Sequence, residues 1–153
     1  MSPMQIDRCR PEDFAAWLPL RIQLWPDHTD EENRAQAFSV MESEDSAGFI
    51  AKTEDGVAVG FAEVALRYDY VNGCGRPPVA FLEGIYVVPD WRGKGVARAL
   101  VGAVESWSGV KGVTELASDV LLGNTTSQGM HQALGFEETE RVVYYRKVVE
   151  RAR

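Results

Sequence analysis

Cysteine is scarce in this chain: Cys9 and Cys74 are the only two among 153 residues. They lie far apart and belong to no cluster with metal-ligand spacing, which argues against a disulfide-stapled scaffold, a metal site or a catalytic thiol. Histidine is equally sparse, with His28 and His131 alone. No apolar run reaches membrane-spanning length, and the start Met-Ser-Pro-Met-Gln has neither the basic nor the apolar region of a signal peptide. The expectation is a cytoplasmic protein with no membrane partner. Positive charge is outnumbered, 16 Lys+Arg against 23 Asp+Glu for a net charge of −7. Such a field repels nucleic acid and attracts cations, and no basic stripe offsets it. Internal repeats, linkers and low-complexity tracts are missing as well, so residues 1–153 read as a single domain large enough for its own core.

What is present follows an alternating α/β order. Met4 to Arg8 reads as a strand, and Pro11-Glu12-Asp13 opens an amphipathic helix through about Leu24, bent at Pro19. Thr29 followed by Glu32 has the spacing of a capping box and starts a second helix through about Glu42. Gly48 to Lys52 and Val57 to Arg67 read as strands joined by a two-residue turn at Asp55-Gly56. Tyr68 to Pro78 is loop, and Val79 to Val88 is a nearly continuous apolar strand of the kind covered on both faces. Val96, Leu100, Val104 and Trp107 form one stripe at helical period. Thr114 to Asp119 is a short strand, Thr125 to Leu134 a helix stopped by Gly135, and Thr139 to Val149, rich in aromatic and β-branched residues, a final strand.

Between the apolar strand and the third helix stands Pro89-Asp90-Trp91-Arg92-Gly93-Lys94-Gly95-Val96-Ala97-Arg98. A glycine-rich basic turn into a helix offers unpaired N–H groups and the positive end of the helix dipole, which suits a phosphate or pyrophosphate. A Walker A loop fails here because Lys94 is followed by Gly95, and a dinucleotide fingerprint fails because Arg98 stands where the third glycine belongs. The remaining pattern, Arg92-x-x-Gly95-x-Ala97, resembles the acyl-CoA pyrophosphate loop of the GCN5-related N-acetyltransferases, the GNAT superfamily.

Two carboxylates stand out. Glu83 lies inside the apolar strand, where an unpaired charge would cost several kcal/mol. It therefore has either an arginine partner or access to a cleft, where it could bind or deprotonate an amine. Strand alternation puts Phe81, Glu83, Ile85 and Val87 on one face. Asp119 ends the next strand, where it is either a plain loop or capping aspartate or the second wall of an acidic mouth. A carboxylate that holds a protonated amine and passes its proton on is sufficient for acyl transfer by direct attack. Backbone groups of Ile85, Tyr86 and Val87 could pair with an extended ligand arm as an added strand and polarise a thioester carbonyl. Trp25 and His28, in the first interhelical loop, and Tyr70, in the central loop, are either packing residues or parts of a lid.

Beyond the glycine loop, Trp25-Pro26-Asp27-His28, Asp69 to Cys74, Phe81 to Ile85, Ala117-Ser118-Asp119 and His131 to Val142 are similar, in colinear order, to the chromosomal type of aminoglycoside 6'-N-acetyltransferase. That resemblance covers nearly the whole chain. It implies a mixed, mostly antiparallel sheet splayed at its centre and flanked by helices, with acetyl-CoA in the splay as cosubstrate. It also implies a homodimer that acetylates the 6'-amino group of aminoglycosides and so confers resistance. By position it assigns Trp25, His28, Tyr70, Glu83, Asp119 and Glu140 to the aminoglycoside. Ile85, Tyr86, Val87, the loop Arg92, Gly93, Lys94, Gly95, Val96, Ala97 and Arg98, and Asn124 go to acetyl-CoA. Asp119 is the first choice for the carboxylate nearest the reacting amine, with Glu83 acting through water as its competitor. Many GNAT enzymes carry a tyrosine where this chain has His131, which leaves the general acid open. The competing expectations are acetylation of polyamines, small metabolites or protein amines, and a non-catalytic acyl-CoA sensor.

Overall fold

The computed structural model describes residues 4–150; Met1-Ser2-Pro3, read above for targeting signals, lie outside them. These residues fall into two compact units that divide after Asp119.

The first unit holds a five-stranded sheet in the order β1 (Met4–Arg8), β2 (Ser46–Thr53), β3 (Ala58–Arg67), β4 (Val79–Val87), β5 (Leu116–Ser118). The first three pairings are antiparallel and β4 to β5 is parallel. Helices α1 (Phe14–Leu24), α2 (Asp30–Glu42) and α3 (Val96–Val110) complete it. A 3-10 turn over Pro11–Asp13 leads into α1, which accommodates Pro19 without ending. The capping box forms as expected: Glu32 N donates to Thr29 Oγ1 at 3.1 Å and Thr29 N to Glu32 Oε1 at 3.0 Å. Both orphan donors at the start of α2 are thereby satisfied.

Glycines set how closely the helices approach the sheet. A Cβ at Gly48 would stand 2.9 Å from Cζ2 of Trp17 on α1, and one at Gly60 3.1 Å from Cγ1 of Val96 on α3. Gly48 pairs with Glu63, three residues from Gly60 on β3, so α1 and α3 cover opposite faces. The stripe of α3 is buried as its period predicts, with Val96, Leu100, Val104 and Trp107 all inside. Each such burial contributes about 1.5–3 kcal/mol. On the other face Trp17, Ile50 and Phe61 anchor the core.

The β2–β3 turn is longer than the two-residue form expected. Thr53 N donates to Val57 O and Gly56, at φ 82°, donates to Thr53 O, so Glu54, Asp55 and Gly56 all lie in the loop. Gly56 supplies the left-handed conformation that ends a three-residue connection.

In the second unit α4 (Thr125–Ala133) is capped by Asn124 Oδ1, which accepts from Ser127 N at 3.1 Å, and is closed by Gly135 at φ 93°. The strand expected over residues 139–149 is not one: no helix or strand is assigned from Phe136 to Glu150, and this stretch is almost wholly exposed. Its composition favours a strand, but it is paired with none of the described strands.

Candidate active site

Strand β4 is where the site begins. Glu63 on β3 pairs with Gly84 while Val64 pairs with Leu82, so Glu83 is the extra residue of a β-bulge. The bulge corrects the alternation expected from sequence. Phe81 and Gly84 turn toward the face of α1, whereas Ile85 and Val87 fall on the opposite face; they do not share a side with Phe81. Gly84 is required there, because a Cβ would come within 2.4 Å of Cζ2 of Trp25.

On its other edge β4 pairs with β5 only from Ala80–Leu116 to Leu82–Ser118. There β5 ends, while β4 runs on to Val87. Glu83, midway along β4, and Asp119, just past the end of β5, are each the next residue after the last pair, Leu82–Ser118. Asp119 is exposed, and Glu83 keeps 34% of its side chain accessible.

A cavity of about 510 Å3 opens on this face, with Glu83, Trp25 and His28 in its wall together with Gln36 and Ser39 of α2. Trp25 and His28 stack at 6.0 Å with an interplanar angle of 22°, and Trp25 meets Phe61 edge-on. Nδ1 of His28 is buried with no hydrogen-bond partner among the described residues. A buried ring nitrogen of that kind calls for a ligand or water.

The cavity floor is a charge network that sequence reasoning missed. Arg21 donates to both oxygens of Glu63, Nε to Oε2 at 2.6 Å and Nη2 to Oε1 at 3.0 Å, and Trp17 Nε1 donates to Oε2 at 3.0 Å. Arg21 Nη1 also reaches Asn33 Oδ1 at 2.9 Å, and its guanidinium lies 4.6 Å from the Trp25 ring centre. Both ionic side chains are 3% exposed. Glu83 has a partner too: Arg67 Nε and Nη2 donate to its oxygens at 3.1 and 2.8 Å. Glu83 thus has the arginine partner and also borders the cleft.

At the end of β4 the glycine loop adopts the expected form. Gly93 and Gly95 have φ of 75° and 86°, and a Cβ at either would meet nothing within 4 Å. Gly95 is the N-cap of α3 and no side chain caps that terminus. Arg92 Nε donates to Val87 O at 2.9 Å, fixing the loop on the strand, and Arg92, Lys94 and Arg98 are exposed around it. These residues fit a diphosphate: open backbone donors, glycine conformations that bring the chain close, and cations at the rim. The β4 edge past Leu82 adds main-chain groups from Ile85, Tyr86 and Val87.

Tyr70 is 68% exposed in the loop after β3, and Glu140 lies exposed in the segment without secondary structure. His131 is buried, its Nδ1 donating to Ser127 O at 2.8 Å and its ring 5.0 Å from that of Phe136. The thiols offer no nucleophile, since burial pushes Cys9 far up and, with the Glu115 charge behind it, raises Cys74 also. No group of three or more His, Cys, Asp or Glu with metal-site geometry occurs among the described residues.

Residues 11–136 match the model of the Acetyltransferase (GNAT) family. The chain belongs to the GNAT family. Within this family it is 50% identical over 144 residues to an aminoglycoside N(6')-acetyltransferase type 1 of Salmonella enteritidis, covering 94% of this chain and 99% of the relative. A similar relative from Serratia marcescens is 50% identical over 92% of this chain and 97% of its own. Among solved structures, the aminoglycoside N-acetyltransferase AAC(6')-Iy in complex with CoA superposes with a TM-score of 0.92 at 49% identity, covering 96% of both chains. The same enzyme in complex with the bisubstrate analogue CoA-S-monomethyl-acetylneamine gives 0.92 at 49% identity, covering 97% of this chain and 100% of that one. The GNAT fold is thus a mixed α/β sheet here, as expected.

Proposed function

We propose that this GNAT protein is an aminoglycoside 6'-N-acetyltransferase that moves acetyl from acetyl-CoA to the 6'-amino group and so confers resistance, with residues 1–153 acting as one domain. The observation that supports the reading is the end of β5 at Ser118, after which the register leaves Glu83 of β4 and Asp119 next in line while β4 runs on unpaired on that edge toward the glycine loop. A donor site and a cation site meet on one strand.

Acetyl-CoA supplies, when bound, the thioester whose acetyl carbon takes the amine nitrogen as the C–S bond breaks and the thiolate leaves. The loop from Arg92 to Arg98 and the start of α3 hold the diphosphate, and Asn124 belongs to the donor side as well. Main-chain groups of Ile85, Tyr86 and Val87 align the arm along the open edge, and an N–H there polarises the thioester carbonyl. Trp25 and His28 wall the aminoglycoside, Glu83 accepts from its ammonium groups, and Tyr70 and Glu140 make outer contacts. Asp119 takes the proton that the attacking amine must lose. The attack is direct, in keeping with thiols whose burial makes them poor nucleophiles. With free thiols and a cytosolic acyl donor, the protein works in the cytoplasm.

A second copy of the chain is its structural partner. Val142, Val143, Tyr144, Tyr145, Val148 and Val149 are 51–91% exposed, an unusual density of apolar surface on one segment. Side chains of adjacent positions point to both sides of an extended chain, so such a segment suits a strand covered on both faces. A dimer supplies what the single chain does not.

The test is thiol release from acetyl-CoA by the purified protein with tobramycin. Turnover is expected, and none with an aminoglycoside bearing a 6'-hydroxyl. Asp119→Ala is expected to lower kcat by ~10²-fold or more. Preference for spermidine over tobramycin in competition would favour a polyamine acetyltransferase, and CoA binding without transfer to any amine would favour a sensor.

A further inference from the structure

Arg67 has no place in the reading above, yet its position is unusually well defined. It is the last residue of β3, paired in register with Val79, and shares a face with Ala65 and its partner Phe81. Its guanidinium lies on the Phe81 ring, 3.5 Å from carbon to ring centre, and Phe81 itself is buried. From there Nε and Nη2 close on Oε2 and Oε1 of Glu83, the bulge residue, at 3.1 and 2.8 Å. The guanidinium is held from below by an aromatic face and sideways by a carboxylate, a planar arrangement that lysine cannot reproduce.

Glu83 needs such a clasp. A glutamate on a half-open surface keeps rotamer freedom that a ligand would otherwise have to remove. A carboxylate has about four lone-pair sites, and a side-on guanidinium takes two of them. The remaining two are left for donors approaching from the cavity that Glu83 shares with Trp25 and His28.

We propose that Arg67 is a positioning residue for the amino-sugar substrate: through its fork on Glu83 it presets the carboxylate that accepts the substrate ammonium. It touches neither the reacting atoms nor the acyl donor, so its effect lies in the affinity for the aminoglycoside. This inference rests on the proposed aminoglycoside acetyltransferase activity.

The test compares Arg67→Ala, Arg67→Lys, Glu83→Gln and the double variant Arg67→Ala/Glu83→Gln, with steady-state kinetics in both substrates and melting temperature. Arg67→Ala is expected to raise the KM for tobramycin ~10-fold, about the scale of one oriented charge contact, with kcat and the KM for acetyl-CoA within about two-fold. Arg67→Lys should recover part of the loss, and the double variant should be no worse than Glu83→Gln alone, because coupled residues do not add. A lower KM in Arg67→Ala, meaning that Arg67 competes with the substrate, would overturn the proposal. So would effects that multiply in the double variant, or an equal change in the KM for acetyl-CoA. Should Arg67→Ala melt early, Arg67→Lys and Glu83→Gln at unchanged melting temperature carry the comparison. Absence of thiol release by the unmodified protein would instead sink the aminoglycoside reading. Tobramycin calorimetry on the same variants then decides for Arg67, with an unchanged Kd counting against it.

Discussion

Two arginine–glutamate forks reach the same cavity wall through Glu63 and Glu83, and they differ in exposure. Arg21 and Glu63 are each 3% exposed, whereas Arg67 and Glu83 keep 42% and 34% of their side chains in water. In the buried fork Arg21 and Trp17 occupy three of the about four acceptor sites of Glu63, and both ionic side chains are almost sealed from water. In the half-open fork the geometry of the pair is similar but the solvent side is free for a guest. A salt bridge between Lys52 and Asp13, 24% and 2% exposed, lies between the two extremes. Similar chemistry is framework where water is excluded and, in the proposed function, recognition where it is not.

The sharpest way to break that contrast is Glu63→Gln. It strands the Arg21 guanidinium without a counter-charge in the interior, and about 3–5 kcal/mol of stability should be lost in urea denaturation. A loss under ~1 kcal/mol, the usual value of an exposed pair, would erase the distinction. Gly84→Ala comes next. Its methyl would sit 2.4–2.5 Å from the Trp25 ring, so the indole must move. Overpacking of this kind costs about 1–3 kcal/mol, and the KM for the aminoglycoside should rise more than that for acetyl-CoA.

The intermediate pair is read through pH. Burial alone would raise the Asp13 carboxyl, but hydrogen bonds from Lys52 and from Arg10 N, with the Lys52 charge, hold it below its usual range. A depressed folded pKa contributes stability above the ordinary carboxylate range and loses it as pH falls through the folded value. Asp13→Asn should therefore destabilise the protein at neutral pH, and the difference from the unmodified protein should shrink on acidification below pH ~4. Lys52, raised chiefly by its hydrogen bond to Asp13, adds a term that is full below the ordinary lysine range and lost as pH rises through the folded value. Thermal melts across pH check both limbs. The smallest expected effect is that of Glu83→Gln on stability, within about 0.5 kcal/mol by chemical denaturation.

Local signals in the sequence translated well into structure. The Thr29–Glu32 box, the helical stripe of α3 and the glycines of the anion loop each depend on residues a few positions apart. What sequence reading missed depends on register between distant strands. The bulge at Glu83 follows from how Glu63 and Val64 pair with β4, which no alternation pattern along β4 alone discloses. Arg21 and Glu63 were overlooked for a similar reason: each looks like an ordinary amphipathic residue until 42 positions of chain separation close to 2.6 Å. One available signal was the acidic Glu63 within the apolar run of β3, as conspicuous as Glu83 in β4. Residues 139–149 teach the converse, since local strand propensity alone did not make them a strand: among the described residues they carry no ladder pairing.

The end of β5 at Ser118 bears on how such a protein can change under drug selection. Main-chain N–H and C=O groups along β4 are common to nearly every residue type, so a donor gripped there survives most side-chain replacements. The cavity that Glu83 borders is lined also by Gln36, Ser39 and the Trp25–His28 stack, where the identity of the side chain decides what is contacted. Mutational drift in that lining can retune which antibiotic is inactivated while the supply of acetyl groups stays untouched.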